Sequence, residues 1–464
     1  MRSDYLPTLP GSIPSETLAS GPPAIETPRL TAAALRAAVD GARQAAATHL
    51  RRRTVDELLA VVDRVVVNWL QPTYPARQQA EQALPAVTGF SAQVVRRGLP
   101  LLLEPLRGAA IRSLLDMELG DHRVLDGWQG ARRAAGPGLI AHVLAGNIPG
   151  LAAAPMLLSL ALKSAVLIKP AAGDLVFPAL LARSIADVDP AVAQCVVVAY
   201  WRGGTQEMEA AAFAQAGRVV ASGSDAAIAA LSASVPARLI GHGHKISFAA
   251  IGRERLDGPD AARALARRLA YDVSLWDQYG CVSPQVCYIE DGGAVAPLAF
   301  AEHLAAALSS AATELPPRQL GLEDRARILR FRQEAEWRAH AAHLPGLLAS
   351  PGSTDWSISV EEGADLVPTC LNRCLRLKIV PDLMALPAAL AAHRRHLECA
   401  GVAVDAAREA PLSERLAQCG VHRICSIGAM QRPTLAWRQS GRPRVADWVE
   451  WTTVDGGDRM DERR

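Results

Sequence analysis

Leu139-Ile140-Ala141-His142-Val143-Leu144-Ala145-Gly146-Asn147-Ile148-Pro149-Gly150 is an apolar run that breaks into a glycine- and proline-bearing turn. A short apolar run bounded by turn formers predicts a buried strand over Leu139–Leu144 running into a loop. The pattern recurs. A buried helix is expected next, then a strand over Val166–Lys169 that stops at Lys169-Pro170-Ala171-Ala172-Gly173-Asp174. Helix follows over Val176–Ala186, strand over Cys195–Tyr200 and helix over Thr205–Ala214. Strand over Arg218–Ala221, helix over Asp225–Leu231 and strand over Ala237–Ile240 complete the series. Alternation at this spacing predicts an α/β fold, a parallel sheet with helices on its faces. Such sheets bind ligands beyond the carboxyl ends of their strands. Three turns fall there: Ala145–Gly150, Lys169–Asp174 and Ala221-Ser222-Gly223-Ser224-Asp225. The third sets small residues and free backbone amides at a helix start, a place for a phosphate or a flat cofactor ring.

Upstream of this series, Thr31 to about Gly120 reads as mainly helical. Thr54-Val55-Asp56-Glu57 has the form of a capping box, followed by apolar Leu58, Leu59, Val62, Val65 and Val66. Met1–Leu30 is rich in proline, serine and threonine and has no apolar signal region, so it reads as a flexible arm or a partly ordered wrap. Ile148–Ile168 is the most apolar stretch, but Pro155 and Lys163 interrupt it. It reads as a buried helix and strand rather than a membrane span. A second unit begins near Ser247. Pro259–Ser274 reads as a helix and Gln285–Glu290 as a strand. The expected organisation is an arm over 1–30, a helical region with a cofactor-binding sheet over 31–246, a catalytic unit over 247–425, and a packing or oligomerisation segment over 426–464.

Composition narrows the function classes. The 464 residues are half hydrophobic and carry a formal charge of +2. No basic block is interleaved with aromatics, which argues against nucleic acid as the main partner. Arg51-Arg52-Arg53, the longest basic run, reads as a solvated helix end. Eight cysteines show no paired CxxC spacing, and Cys370 and Cys374 have no histidine at zinc spacing, so no metal site is expected. A reduced, cytoplasmic compartment is the simplest setting. GxSxG, HExxH and GxGxxG motifs are absent, and Gly241-His242-Gly243-His244-Lys245 lacks the third glycine of a dinucleotide fingerprint.

Trp276-Asp277-Gln278-Tyr279-Gly280-Cys281-Val282-Ser283-Pro284 puts one cysteine in a polar, turn-forming segment between the second unit's first helix and its next strand. A thiol there can be reached by a substrate, and a thiolate attacks acyl carbon well. Taken alone, the plainer reading is a small core residue. Cys287 falls in the strand and reads as core.

These turns, in this order, resemble the aldehyde dehydrogenase superfamily. Within it the chain is similar to the LuxC-type acyl-CoA reductases, the fatty acyl reductase family of bacterial luminescence. The resemblance is carried by His142–Pro149, Leu167-Ile168-Lys169-Pro170, Ser222-Gly223-Ser224, Gly241–Phe248 and Asp277–Pro284, and the Cys-x-Ser-Pro ending favours the acyl-CoA branch. It implies an aldehyde dehydrogenase-like fold: a Rossmann-like parallel-sheet cofactor domain plus an α/β catalytic domain. Cys281 resembles the nucleophile and Asn147 the amide that holds the developing oxyanion. Lys169 resembles the lysine that contacts the adenosine ribose, and Ser222, Gly223 and Ser224 the turn beside the pyrophosphate. The implied reaction is reduction of a long-chain acyl-CoA to the aldehyde through an acyl-cysteine thioester. Two other readings stand beside it, a CoA-acylating aldehyde dehydrogenase for short or medium chains and a non-catalytic scaffold.

One departure from the superfamily pattern is informative. Hydrolytic relatives carry a glutamate where this chain has Gly241, so water attack on the acyl-enzyme should be slow. His242 and His244 lie beside that position and are candidates for the last proton transfer, against a plainer reading as buried or capping histidines. NADPH rather than NADH is expected, because NAD-selective relatives place a carboxylate where this chain has neutral Ala172. The family also implies a homo-oligomer, and an acyl-protein synthetase or acyltransferase as partner. Trp448 and Trp451 read as packing residues or a subunit contact.

Overall fold

A computed structural model describes residues 1–9, 14–19, 24–342 and 346–455. The N-terminal residues include a hairpin of β1 (Ser15–Ala19) and β2 (Ile25–Pro28). Ahead of it, Ser3 and Asp4 are buried, and Tyr5 bridges to Val198. Five helices follow: α1 (Ala32–His49), α2 (Val55–Leu70), α3 (Pro75–Thr88), α4 (Ala92–Leu103) and α5 (Gly108–Leu119). The capping box expected at Thr54 opens α2. The Glu57 N–H donates to Thr54 Oγ1 (3.2 Å), and the Glu57 carboxylate accepts from the Thr54 N–H (2.7 Å). Leu58, Leu59, Val62, Val65 and Val66 form the buried stripe their spacing requires. Of the basic run, Arg51 and Arg52 are exposed, while Arg53 pairs with Asp189.

After β3 (Arg132–Ala135) the expected alternation appears: β4 (Leu139–Val143), α6 (Ala153–Ala161), β5 (Ala165–Lys169), α7 (Phe177–Val188), α8 (Pro190–Ala193), β6 (Val196–Val198), α9 (Gln206–Phe213), β7 (Arg218–Ser222), α10 (Asp225–Ser234) and β8 (Leu239–His242). These strands form an all-parallel sheet in the order β6-β5-β4-β7-β8. Strand order reverses about β4, so the loops leaving β4 and β7 part there and open a crevice. Those loops carry Asn147 and Ser222–Ser224.

The chain crosses at Gly243–Lys245 into a second sheet. It adds β9 (Ile246–Ile251), α11 (Pro259–Ser274), β10 (Pro284–Glu290), α12 (Pro297–Glu314), α13 (Leu322–Ala342), β11 (Leu347–Ala349), β12 (Ser357–Glu362), β13 (Cys374–Val380), α14 (Leu386–Leu390), β14 (Leu397–Ala403), α15 (Ala406–Gln418) and β15 (Arg423–Ser426). The order is β11-β12-β13-β10-β9-β14-β15, parallel except at the β11–β12 edge. Residues of β10 alternate between its two faces. Cys287 and Ile289 pack with α11 and α12, while Val286 and Tyr288 pack with Leu412 and Leu416 of α15. Cys287 is therefore core, as its strand position required. The last strand, β16 (Glu450–Thr453), returns to pair antiparallel with β3. Trp451 lies on that strand, half-exposed, under the Arg132 guanidinium. Among the described residues no helix is long and apolar enough to cross a membrane.

Candidate active site

The loops at the carboxyl ends of both sheets enclose a cavity of about 610 Å³. The turn after β4, the turn after β7, the 242–245 crossing, the Cys281 loop and the 439–444 segment all line it. One end is apolar, walled by Leu101, Leu102, Leu106, Leu151 and Leu158.

The Cys281 loop is held in an unusual backbone. Trp276, Asp277 and Gln278 all have left-handed φ (60°, 47° and 68°), and so do Leu371, Asn372 and Arg373 opposite them (62°, 54° and 59°). Each such residue without glycine's freedom costs about 1–2 kcal/mol, so the surroundings must hold it. Asp277 and Arg373 supply the clamp. Arg373 Nε donates to Asp277 Oδ1 (2.6 Å) with both side chains fully buried. Arg373 Nη2 donates to the carbonyls of Leu315 (2.6 Å) and Ser274 (3.3 Å). The Arg318 N–H donates to Asp277 Oδ2, and the Asn372 N–H to the Asp277 carbonyl (each 3.0 Å). Gln278 Nε2 ties the loop to the carbonyls of Pro284 and Cys374. Gly98 of α4 makes room for the Trp276 indole, since a Cβ there would lie 1.9 Å from it.

Cys281 is half-buried on the cavity wall. Ser247 Oγ donates to its carbonyl (2.7 Å) and accepts from the Cys399 N–H (3.1 Å). Burial, with Glu398 acting the same way, pushes the thiol up to about 12, while Arg444 and Lys245 pull it down. Loop position makes this thiol reachable but does not by itself ionise it.

Asn147 donates from Nδ2 to the Tyr279 carbonyl (2.6 Å), which fixes its amide on the Cys281 loop. A primary amide has two hydrogens, so one remains for another acceptor. The Asn147 and Lys169 turns meet backbone to backbone. A Cβ at Gly146 would lie 2.7 Å from Ala171, and one at Gly173 only 2.8 Å from the Gly146 carbonyl oxygen. Asp174 fastens the two turns, accepting from the N–H groups of Gly150 (3.0 Å) and Phe177 (3.3 Å).

Burial raises the Asp174 carboxyl from 3.8 to about 7. Between those values the folded chain keeps a proton that the unfolded chain has lost. Stability therefore falls as pH rises from about 4 to about 7. Asp174→Asn, which retains an acceptor, is expected to flatten that part of the melting-midpoint profile. An unchanged slope would count against the assignment.

Ser222, Gly223 and Ser224 line the cavity at the start of α10, with Ser224 Oγ capping the Ala227 N–H (3.2 Å). Five of the six residues singled out in the sequence thus share one cavity. Lys169 is not part of its lining. Its ammonium lies 5.9 and 5.5 Å from the Tyr200 and Trp201 ring centres, and burial depresses its pKa. A side chain at Gly241 would start 2.6 Å from Ile228, whereas the next residue, His242, lines the cavity. Burial pushes His242 down to about 4, and its Nδ1 lies 3.3 Å from Ser440 Oγ. His244 also lines the cavity, and its N–H donates to Asp225 Oδ1 (2.9 Å). Trp448 packs edge-on to His142, 5.1 Å between ring centres, as a cavity-wall residue.

Sequence reasoning missed Glu398 and Arg444. Glu398 had a signal, a lone acid in the apolar run Leu397-Glu398-Cys399-Ala400. Arg444 sits in an irregular segment where no periodicity marks it.

A family model described as acyl-CoA reductase (LuxC) matches residues 50–443. The long-chain acyl-protein thioester reductase 2 of Photobacterium leiognathi is 24% identical over 286 residues, 59% of this chain and 58% of that protein. The long-chain acyl-protein thioester reductase of Photorhabdus luminescens is 28% identical over 232 residues, 47% of each chain. The chain thus spans about half the length of the curated relatives it matches. Among solved structures, aldehyde dehydrogenase 21 from Physcomitrella patens, in complex with succinate, superposes with a TM-score of 0.72 at 14% identity, over 97% of both chains. An indole-3-acetaldehyde dehydrogenase in complex with NAD+ gives 0.71 at 13% identity, over 97% of this chain and 96% of that one. These likenesses show the aldehyde dehydrogenase fold that the motifs implied.

Proposed function

The chain belongs to the LuxC family of acyl-CoA reductases, and from that premise we propose that it reduces a long-chain fatty acyl thioester, acyl-CoA, to the aldehyde with NADPH. One observation carries the reading. A single cavity joins Cys281 and Asn147 to an apolar end and to a helix N-terminus. Cys281 attacks the thioester carbonyl, coenzyme A leaves, and the acyl group stays on the sulfur as a thioester. The free amide hydrogen of Asn147 faces the developing oxyanion, a contact typically worth about 3–4 kcal/mol. The leucine-walled end takes the acyl chain, at about 0.8 kcal/mol for each buried methylene.

The residues present fit a nicotinamide dinucleotide. Ser222–Ser224 and the first N–H groups of α10 would hold its diphosphate, whereas Lys169, outside the cavity lining, would serve the adenosine ribose only by turning away from the Tyr200 and Trp201 rings. When bound, the dinucleotide supplies the hydride. Ala172 is small, neutral and exposed, so that position itself places no carboxylate against a 2′-phosphate, and Glu209 is the acid that acts on Lys169. NADPH is accordingly expected to outperform NADH in side-by-side kinetics, and a clear NADH preference would sink that part of the reading. Asn147→Ala is expected to slow turnover about a hundredfold or more with little change in cofactor affinity. A shift confined to cofactor binding would count against an oxyanion role.

The deciding experiment is incubation with acyl-CoA and no reduced cofactor, followed by intact-protein mass spectrometry. An acyl adduct on Cys281 is expected, cleaved by hydroxylamine and discharged as aldehyde when NADPH is added. Rapid release of free acid with no adduct would favour a thioesterase instead. Rates in both directions separate reduction from CoA-acylating oxidation.

A further inference from the structure

The wall around Cys281 carries charge that its motifs do not account for. Arg444 lines the cavity, with its Nε donating to the Trp437 carbonyl (3.0 Å) and its guanidinium 5.3 Å from the Trp437 ring centre. Its backbone N–H is fixed by Glu118 (2.8 Å). Trp437 and Cys281 pack against the same cluster of Val282, Cys399 and Met430. Among the described residues neither Nη group of Arg444 has a hydrogen-bond partner.

The other charged groups nearby are engaged, and the His244 ring, also on the cavity wall, stands 6.2 Å from that of His396. Lys245 Nζ donates to the Arg395 carbonyl (3.1 Å) and stands 3.5 Å from Glu398, a fully buried carboxylate on β14. Glu398 also accepts from the Ser440 N–H (2.9 Å) and lies 3.8 Å from His422. Arg423 on β15 donates to the carbonyls of Met430 and Ala429, and Arg442 pairs with Asp447. The Cys399 and Cys425 thiols face each other at 3.9 Å, and Asp272 of α11 accepts from the Gly428 N–H. His242 contacts Ser440. Among the described residues Arg444 is left as the cation of this wall with unengaged Nη donors, and the carboxylate facing it, Glu118, is taken up by the N–H groups of Arg444, Val445 and Ala446.

We propose that Arg444 is the counter-ion of the Cys281 thiolate, a positioning residue that makes a half-buried thiol nucleophilic, with Glu398 opposing it. Ionisation gives the thiol proton to solvent, and no other bond changes. A guanidinium suits the task because it stays charged when desolvated. The directions in which these groups move the Cys281 thiol agree: Arg444 lowers it and Glu398 raises it. The inference rests on Cys281 being the reacting thiol, but its test needs no substrate.

The experiment is iodoacetamide labelling of Cys281 in the intact chain as a function of pH, read by peptide mass spectrometry. Arg444→Met keeps the stem on Trp437 and removes the charge. Labelling near pH 8 should fall about tenfold and its pH profile should move upward. Arg444→Lys should restore part of the rate. Glu398→Gln keeps an acceptor for Ser440 and should move the profile downward. Circular dichroism and melting midpoints establish that the variants fold. An unchanged profile in folded Arg444→Met overturns the proposal, even if that variant has lost reductase activity. Should Arg444→Met not fold, Arg444→Gln, which keeps a polar amide and no charge, takes its place, an upward shift in favour and no shift against. A profile that moves as expected in a protein that forms no acyl adduct would leave the counter-ion standing and remove the reductase reading.

Discussion

Cys281→Ala is expected to lose acyl-thioester reduction altogether, while each of the other seven cysteines can be replaced without that loss. Cys281 is the only cysteine of the described residues that lines the cavity. Cys195, Cys287, Cys374, Cys399 and Cys419 are buried, and Cys370 and Cys425 are half-buried away from the lining. Removing one sulfur atom from a half-buried loop position should leave the melting midpoint and cofactor binding nearly unchanged. Turnover and the trapped acyl adduct should both vanish, because no other nucleophile of comparable reactivity is at hand. Steady-state rates with acyl-CoA and NADPH, beside fluorescence titration of the cofactor, measure the two separately. Wild-type turnover in the variant would show that the reacting thiol lies elsewhere. Cys399→Ala and Cys425→Ala are the sharpest controls, since both side chains belong to the cluster beside Cys281.

Arg373→Met should unfold the Cys281 loop's support and lower stability by about 3–5 kcal/mol, the range seen when one member of a buried ion pair is removed. The size follows from what remains. Asp277 would be left fully buried with its carboxylate facing no cation at 2.6 Å. The carbonyls of Leu315 and Ser274 would also lose their donor. Six left-handed residues depend on this clamp, so activity should fall along with stability. The double variant Arg373→Met/Asp277→Asn should recover part of the melting midpoint, because no unpaired charge stays buried. It should not recover turnover, because the loop has lost the contacts that hold its Tyr279 carbonyl against Asn147. A change of less than about 1 kcal/mol in the single variant would mean that the pair is not what holds the loop.

Some of this protein was decided by local chemistry. Strand and helix limits came from apolar run length and turn residues, and they hold closely: Pro259–Ser274 is the helix its pattern requires, and Val176–Ala186 falls at Phe177–Val188. The Thr54 cap forms because both its partners lie within three residues of each other. The position of Cys281 in a turn, and of Cys287 in a core strand, follows from period and turn chemistry in the same way.

What tertiary structure alone decided is partnership. Periodicity tells which face of a strand is apolar, not which strand lies next to it. The order that sets the Asn147 and Ser222 turns at one crevice was therefore not readable. Asp277 finds Arg373 across 96 residues, and no local rule links them. Strand register turned His242 toward the cavity and Gly241 toward Ile228, a choice invisible in a run of glycine and histidine. Lys169 ends its strand as expected, yet two aromatic rings from a neighbouring loop hold its ammonium outside the cavity. The ionisation of Cys281 belongs to the same class. Residue type made it a candidate nucleophile, but the charges around it come from remote segments: Glu398 from β14 on the far side of β9, Lys245 from the turn ahead of β9, and Arg444 from the 439–444 segment.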